Sequence, residues 1–114
     1  MRNNLLASSA LALAAGGAVA QDTGFARIAS FGTWLNNGEQ AGAESSAEIV
    51  TATADGMTLI YSDSPLGVIG MIDIADPADP QPMGNIELDG EPTAVSALGG
   101  TVFVGVNTSE SYTA

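Results

Sequence analysis

The chain has 114 residues, with 13 acidic side chains against two basic ones and a net charge of −11. It has no Cys and no His, which excludes disulfides, zinc sites built on those residues and hydrolytic sites that need an imidazole base. So acidic a surface repels nucleic acid and anionic lipid, and neither is an expected partner. The acidic excess predicts either affinity for cations and basic partners or a solvated surface suited to a salty exterior.

The first 20 residues have the three-part layout of an export signal. Arg2 and the amino terminus are positive, Leu5 to Ala15 is apolar, and Ala18-Val19-Ala20 forms an A-x-A cleavage site before Gln21. The apolar run is too short for a stable membrane span, and the alternative is an ordinary buried helix. We expect a signal helix over residues 1–20 and export to the bacterial periplasm or beyond, with no membrane attachment after cleavage.

Short alternating segments separated by turn residues predict an all-β chain after the signal. Residues 25–31 (FARIASF) fit a half-buried strand, and residues 32–46 are predicted to be a loop in which Trp34 anchors packing. The other predicted strands are Ala47–Ala52, Met57–Ser62, Val68–Ile74, Met83–Leu88, Thr93–Leu98 and Thr101–Asn107. Tight turns at Ala54-Asp55-Gly56 and Gly99-Gly100 predict two hairpins.

The stretch GVIGMIDIADPADPQP, from Gly67 to Pro82, is the centre of this pattern. Its first half is a β-branched run that suits a buried strand. Asp76 and Asp79 each precede a proline, and prolines cannot donate ladder hydrogen bonds, so the strand must stop there. Both Asp side chains can accept from nearby backbone amides as Asx turns. The stretch therefore predicts strand, tight polar connection and strand, which is a hairpin.

An internal repeat favours one all-β architecture. AEIVTATADGMTLIYSDSPLG, from Ala47, aligns with PTAVSALGGTVFVGVNTSES, from Pro92, so that Val50 falls on Val95 at an offset of 44 to 45 residues. A period of about 40–50 residues with four strands per unit is typical of β-propeller blades. The alternative is chance similarity or a simple pair of hairpins.

The predicted fold is thus an N-terminal strand and loop over residues 21–46, followed by antiparallel four-stranded propeller blades over residues 47–114. The first blade covers residues 47–91, and half of a second covers residues 92–114. A propeller ring needs about four to eight blades, so we expect an N-terminal fragment whose partners include the remaining blades. A free-standing small β domain is a third, competing hypothesis.

Three stretches carry a resemblance: SSAEIV, MIDIADPADPQP and GEPTAVSALGGTVFVGVN. They are similar to the opening blades of secreted bacterial β-propellers of the choice-of-anchor I and LVIVD-repeat kind. In those proteins a strand ending in V-D-I-x-D-P-x-x-P precedes a short strand and then a Ser-Val-Ala-Val-type strand. The resemblance covers residues 44–107, and it implies a propeller fold. Some similar proteins are labelled alkaline phosphatase or phytase-like esterase, which implies a phosphoester hydrolase.

Carboxylates are the one plentiful chemical resource. The first candidate set recurs every three residues and the second every two: Asp73, Asp76 and Asp79, then Glu87, Asp89 and Glu91. Calcium takes six to eight oxygen ligands, which Asp-rich turns can supply, although neither set matches the EF-hand loop. The alternatives are turn capping and solubility. Asp63 and Asn107, at equivalent places in the repeat, are predicted to form turns rather than contact a ligand.

Two functions compete at this level. The leading hypothesis is an exported propeller that acts as a binding or interaction scaffold, because no catalytic site is assembled in this chain. The rival is a phytase-like or alkaline-phosphatase-like hydrolase that uses calcium held on acidic loops, with a cationic or phosphate-ester ligand as the possible partner. Its catalytic residues would lie largely outside this chain, and none is predicted within it.

Overall fold

The computed structural model of the chain describes residues 24–110. The predicted signal peptide lies outside the described residues. Within them the chain is all-β, as predicted, with no α-helix and six strands in two antiparallel sheets. The strands are β1 (Ala47–Ala52), β2 (Thr58–Asp63), β3 (Val68–Asp73), β4 (Gln81–Glu87), β5 (Glu91–Leu98) and β6 (Thr101–Asn107).

The first sheet is a meander in the order β1-β2-β3-β4. The predicted turn between β1 and β2 is confirmed: Gly56 takes a φ of 72°, which costs glycine nothing, and the Asp55 carboxylate caps the turn. Asp55 Oδ1 accepts from Thr53 Oγ1 at 2.6 Å and from the Met57 amide at 3.0 Å. These two hydrogen bonds lower the pKa of Asp55, and the bond from Thr53 has the larger effect.

The Asp-Pro segment connects β3 and β4 as predicted, and of the two Asx turns predicted there the one at Asp76 is confirmed. Asp73 Oδ1 accepts from the Ala75 amide at 2.8 Å, and Asp76 Oδ1 accepts from the Ala78 amide at 3.0 Å. The β3–β4 register then shifts between Gly70 and Ile72. Gly84, with a φ of 88°, lies in β4 beside this irregularity, where a residue with a side chain would be strained.

Two expectations for residues 25–46 were wrong. Residues 25–31 form no strand, because no neighbouring strand is present among the described residues to form backbone hydrogen bonds with them. Residues 28–31 instead line an apolar groove with Leu59 and Ile72. The predicted loop contains two 3₁₀ helices, Thr33–Asn36 and Gly38–Gln40. Trp34 is 59% exposed with its ring over Gly32, so it does not anchor packing.

The second sheet is the hairpin β5–β6, and its register matches that of β1–β2 pair for pair. Ala47 pairs with Asp63, and the residues 44 positions later, Glu91 and Asn107, pair with each other. The register shift near the start of the first strand also falls at the same place in both hairpins. This uniform offset of 44 aligns Thr51, not Val50, with Val95, which corrects the sequence alignment.

The core lies between the two sheets. Ile60 and Ile69 share one face of the first sheet, and Val95 of β5 packs against both. Val104 is paired with Val95 and joins the same cluster. Each of the three central residues is at least nine-tenths buried, so this apolar contact is a main stabilising term.

The faces in contact are equivalent ones. Thr51 pairs with Ile60 in the first hairpin, as Val95 pairs with Val104 in the second, 44 residues later. Sheets that meet through equivalent faces pack as in a sandwich. Propeller blades are repeated by rotation about one axis, so the front of each blade meets the back of the next. The contact therefore differs from a propeller step.

Candidate functional site

Asn36 joins the first 3₁₀ helix to the face of the first sheet opposite the core. Its Nδ2 donates to the Tyr61 hydroxyl and to the Met71 carbonyl, both at 2.9 Å. Its Oδ1 accepts from the Gly84 amide at 2.8 Å. Tyr61 in turn lies over Gly70, where a Cβ would overlap its ring. One buried amide thus ties three strands to the helix.

The Tyr61 hydroxyl sits in an environment that favours its neutral form. Burial raises the pKa of Tyr61 above its ordinary value, and the nearby Asp63 carboxylate raises it further. The hydrogen bond from Asn36 opposes these effects by favouring the phenolate. Since burial is the largest cause, the net shift is upward.

We expect this raised pKa to appear as base-induced loss of stability. A group whose pKa is higher in the folded state stabilises the fold fully below its unfolded pKa, about 10 for tyrosine, and less as pH rises through the folded pKa. Tyr112→Phe leaves Tyr61 as the only tyrosine, because the chain has two. Ultraviolet absorbance of its tyrosinate should then titrate above free tyrosine. Titration at or below that value contradicts the assignment.

Asn37, the next residue, pairs with Asn85 of β4. Asn85 Nδ2 donates to Asn37 Oδ1 at 2.8 Å. The other half of this amide pair is open: Asn37 Nδ2 and Asn85 Oδ1 are both buried and have no hydrogen-bond partner among residues 24–110. A buried donor and a buried acceptor left without partners each cost free energy, so this amide pair is held by the packing around it.

The asparagine pair lies at a polar groove of about 310 Å³ between the 3₁₀ helices and strands β3 and β4. We call it the asparagine groove, and its lining residues are Asn36, Asn37, Gly38, Glu39, Gln40, Val68, Asn85 and Glu87. Its side chains supply two carboxylates and three amides besides Asn36, and none of them is basic. The groove therefore favours a ligand with many hydrogen-bond donors.

A second cavity, of about 340 Å³, lies where β5 begins and β6 ends. It is lined by Asp89, Gly90, Glu91, Asn107, Thr108, Ser109 and Glu110. Asn107 forms a turn there, because its Oδ1 accepts from the Ser109 amide at 3.0 Å. The predicted role of Asn107 as a turn former is confirmed.

In the first hairpin, the residue equivalent to Asn107 is Asp63, and its side chain is enclosed by the protein. Asp63 is fully buried, and its Oδ2 accepts from Ser45 Oγ at 2.5 Å. Its Oδ1 accepts from the Ser46 amide at 3.1 Å and the Leu66 amide at 3.3 Å. The carboxylate therefore closes the chain around the ends of β1 and β2, which confirms its predicted structural role.

The six candidate calcium ligands do not form one site. Asp73 and Asp76 cap turns, as the turn-capping alternative predicts, whereas the Asp79 carboxylate accepts from the Gln81 side chain at 2.8 Å. Glu87 lines the asparagine groove, whereas Asp89 and Glu91 line the second cavity. Within residues 24–110 no three acidic residues are placed together to bind a metal ion. Calcium binding stays a prediction with no preformed cluster behind it.

Sequence reasoning missed the three residues that build the asparagine groove. Asn36 and Asn37 fell within the predicted loop over residues 32–46, and Asn85 was predicted only as part of a strand. Their partners lie 25 to 48 residues away along the chain, so no local pattern marks them. The one available signal was the pair of adjacent asparagines, Asn36 and Asn37, within the predicted loop.

Comparison of the chain with protein-family models, with curated proteins and with solved structures gives no match. The resemblance to choice-of-anchor I and LVIVD-repeat propellers therefore remains a prediction. Among the described residues, no helix has the length and apolar character needed to cross a bilayer.

Proposed function

We propose that this chain forms the opening sheets of an exported β-sheet scaffold that binds a ligand or partner, and that its hairpins β1–β2 and β5–β6 are copies of one module. The observation that carries the proposal is the shared register of the hairpins β1–β2 and β5–β6. Two hairpins with the same pairs and the same register shift, 44 residues apart, are what a duplicated sheet module would produce. The signal predicted at residues 1–20 supports export.

The second hairpin lacks the neighbours that its equivalent has. Strand β2 is flanked by β1 and β3, whereas β6 pairs with β5 alone within residues 24–110. Phe103 and Leu98 are exposed, while Leu59, the residue equivalent to Phe103, is partly covered by residues 28–31. An open edge with exposed apolar side chains is a surface for further strands. We propose that such strands continue the second sheet from β6.

The contact between the sheets favours a sandwich over a propeller for this scaffold. Val95 faces the first sheet, and Phe103 faces away from it. Front-to-back stacking in a propeller would place the Phe103 face against the first sheet instead. We propose that the scaffold continues as a sandwich.

Binding is the role that the described residues support. The chain has no His, and within residues 24–110 no three acidic residues converge on one point. The carboxylates and amides that line the asparagine groove are suited to recognition of a ligand rich in hydrogen-bond donors. Hydrolysis has no comparable observation in its favour.

Hydrogen–deuterium exchange of the full-length exported protein tests whether further strands continue the second sheet. The amides of β6 that do not bond to β5 should be protected about as well as those of β2 that bond to β3, because further strands cover them. The amides shared by β5 and β6 serve as the internal reference. Rapid exchange along the outer edge of β6, with protected reference amides, would show that the second sheet ends there and would overturn the proposal.

A further inference from the structure

The end of strand β6 carries the one N-x-S/T triplet of the chain, Asn107-Thr108-Ser109. This triplet is the acceptor pattern for N-linked glycans in exported proteins, provided that its middle residue is not proline. The predicted signal over residues 1–20 supplies the export that such a modification needs. Because so short a pattern also arises by chance, the structure around it has to show whether the asparagine is presented for modification.

The side chain of Asn107 is oriented by a turn on an open surface. Its Oδ1 accepts from the Ser109 amide at 3.0 Å, so the triplet forms an Asx turn. This bond uses the oxygen of the side-chain amide and not the nitrogen, which is the atom that receives a glycan. The turn also brings residue 109, whose hydroxyl is part of the acceptor pattern, close to that amide. Asn107 is half-buried, Thr108 and Ser109 are exposed, and all three line the cavity of about 340 Å³.

The equivalent place in the first hairpin lacks every one of these features. Asp63 is fully buried, and its two oxygens accept hydrogen bonds from residues 45, 46 and 66. The residue two positions after it is Pro65, which has no hydroxyl. Forty-four residues later the carboxylate is an amide, the proline is a serine and the side chain reaches a cavity. Two hairpins with the same register thus differ at the positions that a glycan acceptor requires.

We propose that Asn107 is the acceptor of an N-linked oligosaccharide that is delivered on a lipid diphosphate. Asn107 Nδ2 forms a bond to C1 of the first sugar, and the bond from C1 to the diphosphate oxygen breaks. Nδ2 loses one proton to a base of the transferase, and the lipid diphosphate leaves with the bonding electron pair. Asn107 is the last residue of β6, so the glycan would start where the β5–β6 ladder ends. This inference goes beyond the binding role proposed above and shares with it only the predicted export.

Glycan transfer to the purified, folded full-length protein tests the inference. The reagents are a single-subunit oligosaccharyltransferase that recognises N-x-S/T and chitobiose on a polyprenyl diphosphate. Tandem mass spectrometry should find chitobiose on Asn107. Ser109→Ala should reduce the modified fraction to that of a reaction without donor, although it keeps the backbone amide to which Asn107 Oδ1 bonds. Ser109→Thr keeps the hydroxyl and should preserve the modification.

The first hairpin provides a matched control within the same chain. The double substitution Asp63→Asn with Pro65→Ser creates the same kind of triplet at the enclosed position. In the folded protein, residue 63 should stay unmodified while Asn107 is modified. Equal modification of both positions would show that enclosure by the protein does not control the reaction, and it would overturn the assignment of Asn107 from its surroundings.

A peptide of residues 101–110 separates the fold from the triplet. It should be modified, as the folded protein should. Modification of the peptide alone would show that the fold hides Asn107, and modification of neither would show that the triplet is not an acceptor; each result rejects the proposal. Because the folded protein is given directly to the transferase, these results depend neither on export nor on protection of the β6 edge, so failure here is distinguishable from failure of the scaffold.

Discussion

Replacing Asp63 with alanine is expected to lower the free energy of unfolding by about 2–4 kcal/mol. The carboxylate is fully buried and accepts from Ser45 Oγ and from the amides of Ser46 and Leu66. Alanine would remove the charged acceptor of all three hydrogen bonds, and a hydrogen bond to a charged group contributes about 1.5–3 kcal/mol where it is shielded from water. Urea unfolding followed by far-ultraviolet circular dichroism gives the difference.

The matching substitution Asp63→Asn separates hydrogen bonding from charge. Its Oδ1 can still accept from the two amides, and its Nδ2 can donate to Ser45 Oγ, which can turn its own proton toward Thr33 Oγ1, 3.2 Å away. We expect a loss of only about 1 kcal/mol. Asp76→Ala, in an exposed turn, should change stability by less than about 0.5 kcal/mol. Equal losses for Asp63→Ala and Asp63→Asn would show that the negative charge itself stabilises the fold.

The comparison of Asp63 with Asn107 explains why the repeat was visible in the sequence. Both residues end the second strand of a hairpin and accept from nearby amides, so a short polar side chain recurs at that point. Glycine and aspartate turns bound strands β1 and β6 so tightly that both were predicted to the residue. Strand β4 begins two residues earlier than predicted, because Pro82 pairs with Ile72 without needing to donate a hydrogen bond.

The failures have a common physical cause, which is that they depend on distant partners. Residues 25–31 alternate like a strand, but alternation supplies no neighbouring strand for the backbone. Trp34 has the largest apolar side chain of its loop, yet it is exposed and Asn36 is buried, because the Asn36 amide bonds to groups 25, 35 and 48 positions away. The candidate site was missed for the same reason. Local pattern predicts the strands, and tertiary contacts decide which polar residues are buried.

The packing between the sheets gives the second large prediction. Val95 is 8% exposed against Ile60 and Ile69, whereas Phe103, on the other face of the same hairpin, is 58% exposed. Val95→Asp should cost about 3–5 kcal/mol, because it buries a charge with no partner. Phe103→Asp should cost less than about 0.5 kcal/mol. Urea unfolding gives the free energy of unfolding of each variant, and the two can be compared directly because both add one negative charge.

The same pair of substitutions distinguishes a sandwich from a propeller. If the second sheet stacks front to back on the first, the Phe103 face is buried and the Val95 face is not, so the order of the two costs reverses. Val95→Ala and Phe103→Ala keep the test measurable if an aspartate variant does not fold, with about 1–2 kcal/mol expected for Val95 and little for Phe103. A larger loss at Phe103 would therefore reject the equivalent-face contact and favour blades arranged around one axis.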